Sequence, residues 1–546
     1  MTEAFTEPEV VRLSGHFTNL DRDVFGLKLP QEVAGALFSR YSRTSKSLRR
    51  VFLDEFADAG APAVGEESPE ALAKARAFYD RVLVGYGDDS VAQLGGAHVA
   101  CERVSNVAAK LLEDSRVGIA YLEKSTRYVR FDQKDLAGDW LYAPEPRIAA
   151  SRHAEAYRAL MELLFETYAR QIDRIAEHVA RSLPIEDVEV RHPKTGETVP
   201  WSDVAASPEL KEAAQRAHRA TVRAHACDVM RGYLPAATRT NLGIFGSGQA
   251  FEHLVDKLAS QELTEGRALA MSIRRELDAL IPSFVKRSGQ SPYLEALEQR
   301  ARGLASRIAS KRVTPAPEPG SAALLDYEPD AEARVLAALL YPHASISLES
   351  LRESARALSP DERAAAFREL ALLRRHRRDK PGRALESVTY TFDVLGNLGI
   401  YRDLQRHRLL TQERQAFTTE HGYDVPPEID EAGFGAEFRE CMDRAAELHA
   451  RIAAEMPLEA QYVVPFAFRV RWYFRLNLRE AVHLCELRSM PQGHPDYRLV
   501  VQEMWRKIEE VHPALAAFGR FMNRETYRLG RLQSELRTEY KRSLAG

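Results

Sequence analysis

The sequence predicts a helix-rich α+β fold laid down twice along its 546 residues. Apolar residues recur at helical spacing through most of the chain, and strand-forming runs are few and short. A Pro/Gly/Ala-rich stretch then divides the chain into two roughly equal halves that share a faint repeat.

Taken in order, the first strand candidate is RYVRF (127–131). Leu160, Leu164, Tyr168, Ile172, Ile175 and Val179 then repeat every three or four residues, the mark of an amphipathic helix. VEVRH (188–192) is a second strand candidate. The polar stretch HPKTGETVPWSD (192–203) reads as an excursion, so an insertion is expected near 186–205. RVTPAPEPGSAALLDYEP (312–329) has no usable periodicity and reads as a linker between domains over 1–311 and 330–546. In the second half, SVTYTFDV (387–394) and QYVVPFAFRVRWYF (461–474) are the stronger strand signals. Phe438, Cys441, Met442, Ala445, Leu448, Ile452 and Met456 mark another helix.

Composition narrows the function classes. A hydrophobic content of 45% and a charged content of 28% suit a globular domain in water. The formal net charge of -3 gives no global case for nucleic acid or acidic lipid as partner. No apolar run approaches membrane-spanning length, and the acidic N-terminus lacks the apolar core of a signal peptide. Cys101, Cys227, Cys441 and Cys485 are widely scattered, which fits a reducing compartment and argues against a zinc site. A cytoplasmic location is expected.

The repeat lies in two matching passages. Leu234-Pro235 precedes an Arg/Thr-rich extended stretch and then His253-Leu254, which opens an apolar helix. Val464-Pro465 precedes an Arg/aromatic stretch and then His483-Leu484 at the same spacing. Three further segments carry chemistry. In LEKSTRYVRF (122–131), Glu123, Ser125 and Arg127 alternate, so an extended backbone points all three one way. A hydroxyl, a guanidinium and backbone N–H groups together cradle a phosphate, whereas a solvated edge strand with a chance ion pair is the plain alternative. In YRDLQRHRLLTQERQ (401–415), Arg406, His407 and Arg408 follow the apolar Leu398, Ile400 and Leu404; they suit a diphosphate or an electron-rich ring, or else a basic helix end. RRHRRDK (374–380) is taken as a solvated basic run. In FRLNLREAVHLCELRSMPQGH (474–494), Asn477 is placed to cap a helix on which Arg479, His483 and Glu486 share a face. Arg488 lies near that helix's end.

Together these segments resemble the flavin-dependent thymidylate synthases, whose motif reads R-H-R-x-x-S-x-N-E-x-S-x-R-Y. The first half keeps the end of it: Glu123, Ser125, Arg127 and Tyr128 match E-x-S-x-R-Y, while Ser115-Arg116-Val117 stands where R-H-R should be. The second half keeps the beginning: Arg406-His407-Arg408 matches R-H-R and Thr411 replaces the first serine. Arg414, Ala416 and Thr418 occupy the later positions. The resemblance implies a site shared between copies. Glu123, Lys124, Ser125, Thr126 and Arg127 would hold dUMP from the first copy; Asp403, Arg406 and Gln461 would complete that site from the second. Ser90, Glu123, Arg406, His407, Arg408, Asn477, Arg479 and His483 fall on flavin-binding positions. The reciprocal site should be dead, because Leu258 stands where its key arginine belongs. Two positions depart from the pattern. Gln461 aligns with an arginine that the first half retains as Arg231, and His483 aligns with an asparagine.

The resemblance further implies FAD as cofactor, NADPH and methylenetetrahydrofolate as co-substrates, and reductive methylation of dUMP to dTMP. A homodimer forming a pseudo-tetramer is expected. Arg488 is the implied catalytic residue: a guanidinium stays protonated, so it stabilises developing negative charge on the pyrimidine instead of accepting a proton. Cys485 is read as a small buried hydrophobe, not a nucleophile. No metal and no nucleic acid or membrane partner is expected. A catalytically silent relative that binds nucleotide or flavin, and a nucleic-acid-binding helical protein, are the rival readings.

Overall fold

The structure, a computed structural model, describes residues 4–57, 73, 76–77, 92–309 and 321–545. Helices dominate and the sheets are small, as periodicity predicted. Among the described residues the strands are β1 (Gly96–Ser105), β2 (Ile119–Glu123), β3 (Val190–Arg191), β4 (Thr198–Val199), β5 (Arg239–Ser247), β6 (Ala322–Tyr327), β7 (Thr389–Asn397), β8 (Leu410–Arg414) and β9 (Arg469–Asn477). None of the described helices is long and apolar enough to cross a membrane.

The duplication is legible in the sheets. One has the order β1-β5-β2, and the other has the order β6-β7-β9-β8, with β6 added at an edge. In each, the central strand of the repeat (β5 or β9) runs straight into a helix, Gly248–Ala259 or Leu478–Arg488. Both strands alternate buried and more exposed residues along their length.

The chain divides into two compact units that do not follow the expected cut. One unit gathers Met1–Val104, Ala108–Glu123 and Thr240–Ser310; the other gathers Ser105–Val107, Lys124–Arg239 and Lys311–Gly546. The middle of the first half therefore folds with the second half. The reason lies in the repeated Leu-Pro and Val-Pro passages, which pair with each other. Ala236 N–H donates to Val464 O at 2.8 Å and Phe466 N–H donates to Leu234 O at 2.9 Å. The outer bonds, Ala237 N to Tyr462 O at 3.0 Å and Ala467 N to Gly232 O at 3.1 Å, repeat the reciprocity. Corresponding residues of the two copies exchange identical bonds, as about a local twofold axis. Beside this junction the helices Ala154–Ser182 and Gly435–Ala453 pack together, where Gln171 bridges Glu437 (2.6 Å) and Tyr233 (2.9 Å).

Several sequence expectations need correction. RYVRF is not a strand: β2 ends at Glu123, and the chain turns as Val129 N–H reaches back to Ser125 O at 3.1 Å. Residues 312–320 of the expected linker lie outside the described residues, but its remainder forms β6, which pairs antiparallel with β7. QYVVPFAFRVRWYF is strand only from Arg469; its start is a 3₁₀ turn, Glu459–Val463, leading into the Val464–Ala467 junction. The insertion is partly structured, with β3 and β4 forming a short ladder before the helix Trp201–Ala206.

Candidate active site

Two strand-to-helix turns position the chemistry of the second copy. Asn397 ends β7 and caps the helix Leu398–Leu404, its side chain accepting from Ile400 N at 3.0 Å. Asn477 ends β9 and caps Leu478–Arg488, accepting from Glu480 N at 2.9 Å, as its sequence position predicted. The first helix delivers Asp403 and, just past its end, Arg406 to Arg408; the second delivers Arg479, Glu480, His483 and Arg488.

Three of them, Glu480, His483 and Arg488, meet around the buried imidazole of His407. His407 Nδ1 lies 2.8 Å from Glu480 Oε1, and its Nε2 accepts from Arg488 Nε at 3.0 Å. Arginine has no acceptor, so Nε2 carries the lone pair and Nδ1 the proton, which it donates to Glu480. Burial, then the charges of Arg488 and Lys380, hold the His407 pKa well below its ordinary value, consistent with that neutral tautomer. His483 is tilted against His407 at 5.6 Å, and Lys380 Nζ donates to its Nδ1 at 2.6 Å. Burial first, then Lys380 and His407, push His483 down to about 4.

In front of them opens a cleft of about 830 Å³, lined by Lys380, Arg383, Thr411, Arg475, Arg479 and His483 among others. Arg479 is braced by Pro381 O (2.9 Å) and Glu386 (2.8 Å). A cleft of this size, with Lys380, Arg383, Arg475 and Arg479 among its lining residues, fits an elongated anionic cofactor such as a dinucleotide.

A second cluster combines both copies within one compact unit. Arg231, from the first copy, donates from Nη1 to Asp403, from the second, at 3.1 Å. Its Nη2 is buried and has no hydrogen-bond partner. Burial alone would raise the pKa of Asp403, but the guanidiniums of Arg231, Arg127, Arg406 and Arg488 outweigh it and hold the carboxylate ionised. Arg127 forks onto Asp228, with Nε to Oδ1 at 2.7 Å and Nη2 to Oδ2 at 2.9 Å, and its Nη1 reaches Tyr497 OH at 3.2 Å. Tyr497 lies between the two copies' arginines, its ring 5.6 Å from Arg127 and 5.7 Å from Arg488. Thr126 accepts from Arg402 at 2.9 Å. Beside the cluster is a cavity of about 580 Å³ lined by Asp228, Arg231, Asn397, His494 and Asp496 among others.

Not every expected residue joins these clusters. Glu123 belongs to the other compact unit, where it is buried and accepts from Lys110 at 3.2 Å. The turn after β2 is why Glu123 and Arg127 serve different partners despite their alternation. Ser125 accepts from Arg127 N at 3.2 Å, and Lys124 and Arg408 are exposed. Gln461 is buried with its amide engaged by backbone, accepting from Phe417 N at 3.1 Å and donating to Leu458 O at 3.0 Å, so it fills a structural place. Ser90 lies outside the described residues. Glu486 leaves the Arg479 and His483 face and pairs inside with Arg374 (2.7 and 2.8 Å). The run RRHRRDK is therefore not simply solvated: Arg374 is buried and Lys380 lines the cleft. Cys485 is fully buried and burial drives its thiol pKa up, as expected of a small hydrophobe. Asp228, Lys380, Glu480 and Tyr497 were missed; only Lys380, in its basic run, left a local signal.

The first copy has a matching cleft of about 820 Å³ in its own unit. Ser115, Arg116 and Val117, which align with Arg406, His407 and Arg408, line it, and Leu258 is buried in the unit's core.

Comparison with known proteins agrees with this duplication. The model of the family described as thymidylate synthase complementing protein matches residues 43–283 and again 323–514. A UPF0159 protein of Chlamydia pneumoniae is 39% identical over 98% of both chains, and one of Thermoplasma acidophilum is 36% identical over 93% of this chain and 98% of its own. A flavin-dependent thymidylate synthase of Geobacter sulfurreducens is 27% identical over 35% of this chain and 84% of its own length. The chain belongs to the thymidylate synthase complementing protein family, in a tandem form that carries its model twice.

Proposed function

We propose that this chain is a flavin-dependent thymidylate synthase that methylates dUMP with methylenetetrahydrofolate and NADPH, using one site assembled from both copies. The observation that carries the reading is that arginines of the first copy meet residues of the second: Arg231 pairs with Asp403 at 3.1 Å, and the Tyr497 ring lies 5.6 Å from Arg127 and 5.7 Å from Arg488. Each copy alone holds half of that set. A cluster rich in guanidiniums, with Arg127 and Arg231 buried, suits a nucleotide phosphate and the electron-rich edge of a pyrimidine. The cationic cleft beside it suits FAD, with Arg406, His407, Arg408, Asn477, Arg479 and His483 holding it. When bound there, the flavin supplies the hydride.

The chain's own residues then have distinct tasks. Arg488, fixed by His407, presents a permanent positive charge toward the base and stabilises the negative charge that develops there. His407, kept neutral by burial and fixed by Glu480, orients Arg488 and exchanges no proton. Arg231 offers its unpartnered Nη2 to an anionic oxygen. The name of the Geobacter relative supports the same reaction class. Purified protein should be yellow and should release tritium from 5-tritiated dUMP when NADPH and methylenetetrahydrofolate are added. Colourless protein that releases none would overturn the reading.

A catalytically silent nucleotide or flavin binder is favoured by one observation: Arg127 is engaged by Asp228 instead of standing open. Yellow protein that binds dUMP without releasing tritium would select it.

A further inference from the structure

Arg127 is the motif arginine of the first copy, yet most of its donors are already engaged. Nε and Nη2 fork onto Asp228, Nη1 meets Tyr497 OH, and Nη2 also reaches Gln492 O at 3.3 Å. A carboxylate held in this bidentate fork has the geometry of an anionic ligand. Asp228 has a second cation. Arg531 Nη2 donates to the same Oδ2 at 2.9 Å, and the Arg531 guanidinium lies 4.7 Å from the Tyr128 ring. All three charged groups are buried, and Arg531 Nη1 has no hydrogen-bond partner. Arg531 stands just before the helix Leu532–Ala545, which packs on Pro208–Met230, the helix bearing Asp228. Arg216 to Glu539 at 3.0 Å ties the two helices together. This C-terminal segment lies beyond the family match, which ends at 514.

We propose that Asp228 is an internal stand-in for the ligand's anionic group on Arg127, and that Arg531 is the resident counter-ion that lets the exchange occur. Two cations share one buried carboxylate. When an anion reaches Arg127, the guanidinium turns from Asp228 to the ligand while Arg531 keeps the carboxylate neutralised. Without Arg531 the same move strands a buried charge, which proteins avoid at large cost. Arg531 is thus a positioning residue that acts through Asp228, and the pair sets the anion affinity of the site. The inference rests on the anion-binding part of the function proposed above and needs none of its flavin or folate chemistry.

The test is calorimetric titration of the full chain with dUMP and, separately, inorganic phosphate. It compares the wild type with Asp228→Asn, Arg531→Met, Arg531→Lys and the Asp228→Asn/Arg531→Met double variant, after melting curves confirm folding. Asp228→Asn should bind either anion about tenfold tighter, since a charge-assisted competitor is removed. Arg531→Met should bind about tenfold more weakly, Arg531→Lys should stay near wild type, and the double variant should regain the affinity of Asp228→Asn. Should Arg531→Met fail to fold, Asp228→Asn and Arg531→Lys still decide. Unchanged or weaker binding by Asp228→Asn overturns the exchange, as does an equal loss from Arg531→Met in both backgrounds. Phosphate binding that follows the pattern without any dUMP binding keeps the exchange and overturns the proposed substrate. Failure of every variant to bind either anion overturns the exchange as well.

Discussion

Arg231, buried, and Asp403, half-buried, form an ion pair at 3.1 Å between residues that come from different copies of the repeat. Gly399 makes room for it: a side-chain carbon there would meet Arg231 Nε at 2.9 Å. The second copy lacks the corresponding arginine and has Gln461, whose amide is engaged by backbone. Arg231→Leu should therefore lower thermal stability, by less than the about 3 kcal/mol of a lone buried charge, because Arg127, Arg406 and Arg488 still act on Asp403. It should also weaken dUMP binding. Asp403→Asn added to Arg231→Leu should restore stability and leave dUMP binding weak, which paired melting and titration experiments would show.

Arg488 is fixed by a neutral imidazole, not by a carboxylate. Arg488→Ala should reduce single-turnover methylation by about 100-fold, the usual scale for losing one preorganised donor at a developing charge. Bound flavin, read from its absorbance, should remain. His407→Gln should have an intermediate effect, since it removes the group that orients Arg488. Loss of flavin with unchanged single-turnover chemistry in Arg488→Ala would falsify the assignment.

The two clefts should not be equivalent. Asn477→Ala removes the cap of Leu478–Arg488, a change worth about 1 kcal/mol of helix stability, and should lower flavin occupancy. Lys257→Ala, in the first copy's cleft, should leave flavin content and tritium release unchanged. A flavin-to-chain ratio near one should accompany both results, whereas a ratio near two would show that the first copy's cleft is also a working site.

Stability should depend on pH through neutral histidines. Burial holds His407 well below 6.5, and holds His494 and His483 to about 4. The unfolded chain binds protons at these positions from about 6.5 downward and the folded chain does not, so stability is full above 6.5 and falls toward 4. Asp228 and Asp403, whose pKa values are lowered in the fold, lose their contribution in the same direction but only below about 3.8. Melting temperature measured from pH 7.5 to 4.5 should therefore drop, and His407→Gln should flatten part of the slope. A midpoint that rises on acidification contradicts the neutral assignment.

Cys485→Ser should keep tritium release, because the thiol is fully buried and its pKa is raised by that burial. A dead, folded variant would instead point to covalent catalysis.

The sequence by itself determined what is written locally. Residues near one another in the chain fix helical periodicity, the cap Asn477, the run of β9 into its helix and the two opposite halves of one motif. Complementary loss also raised the expectation of a site shared between the copies. Tertiary structure alone decided which part of the first copy joins the second, because that choice rests on the reciprocal backbone bonds around Pro235 and Pro465. It decided that the chain turns after Glu123, whose carboxylate accepts from Lys110. It also decided that Asp228 pairs with Arg127, that Lys380 lines the cleft and that the Gln461 amide is engaged by backbone. Each of those roles depends on a partner far away in sequence, such as Asp228 for Arg127 or His483 for Lys380, and no periodic pattern encodes a pairing between distant residues.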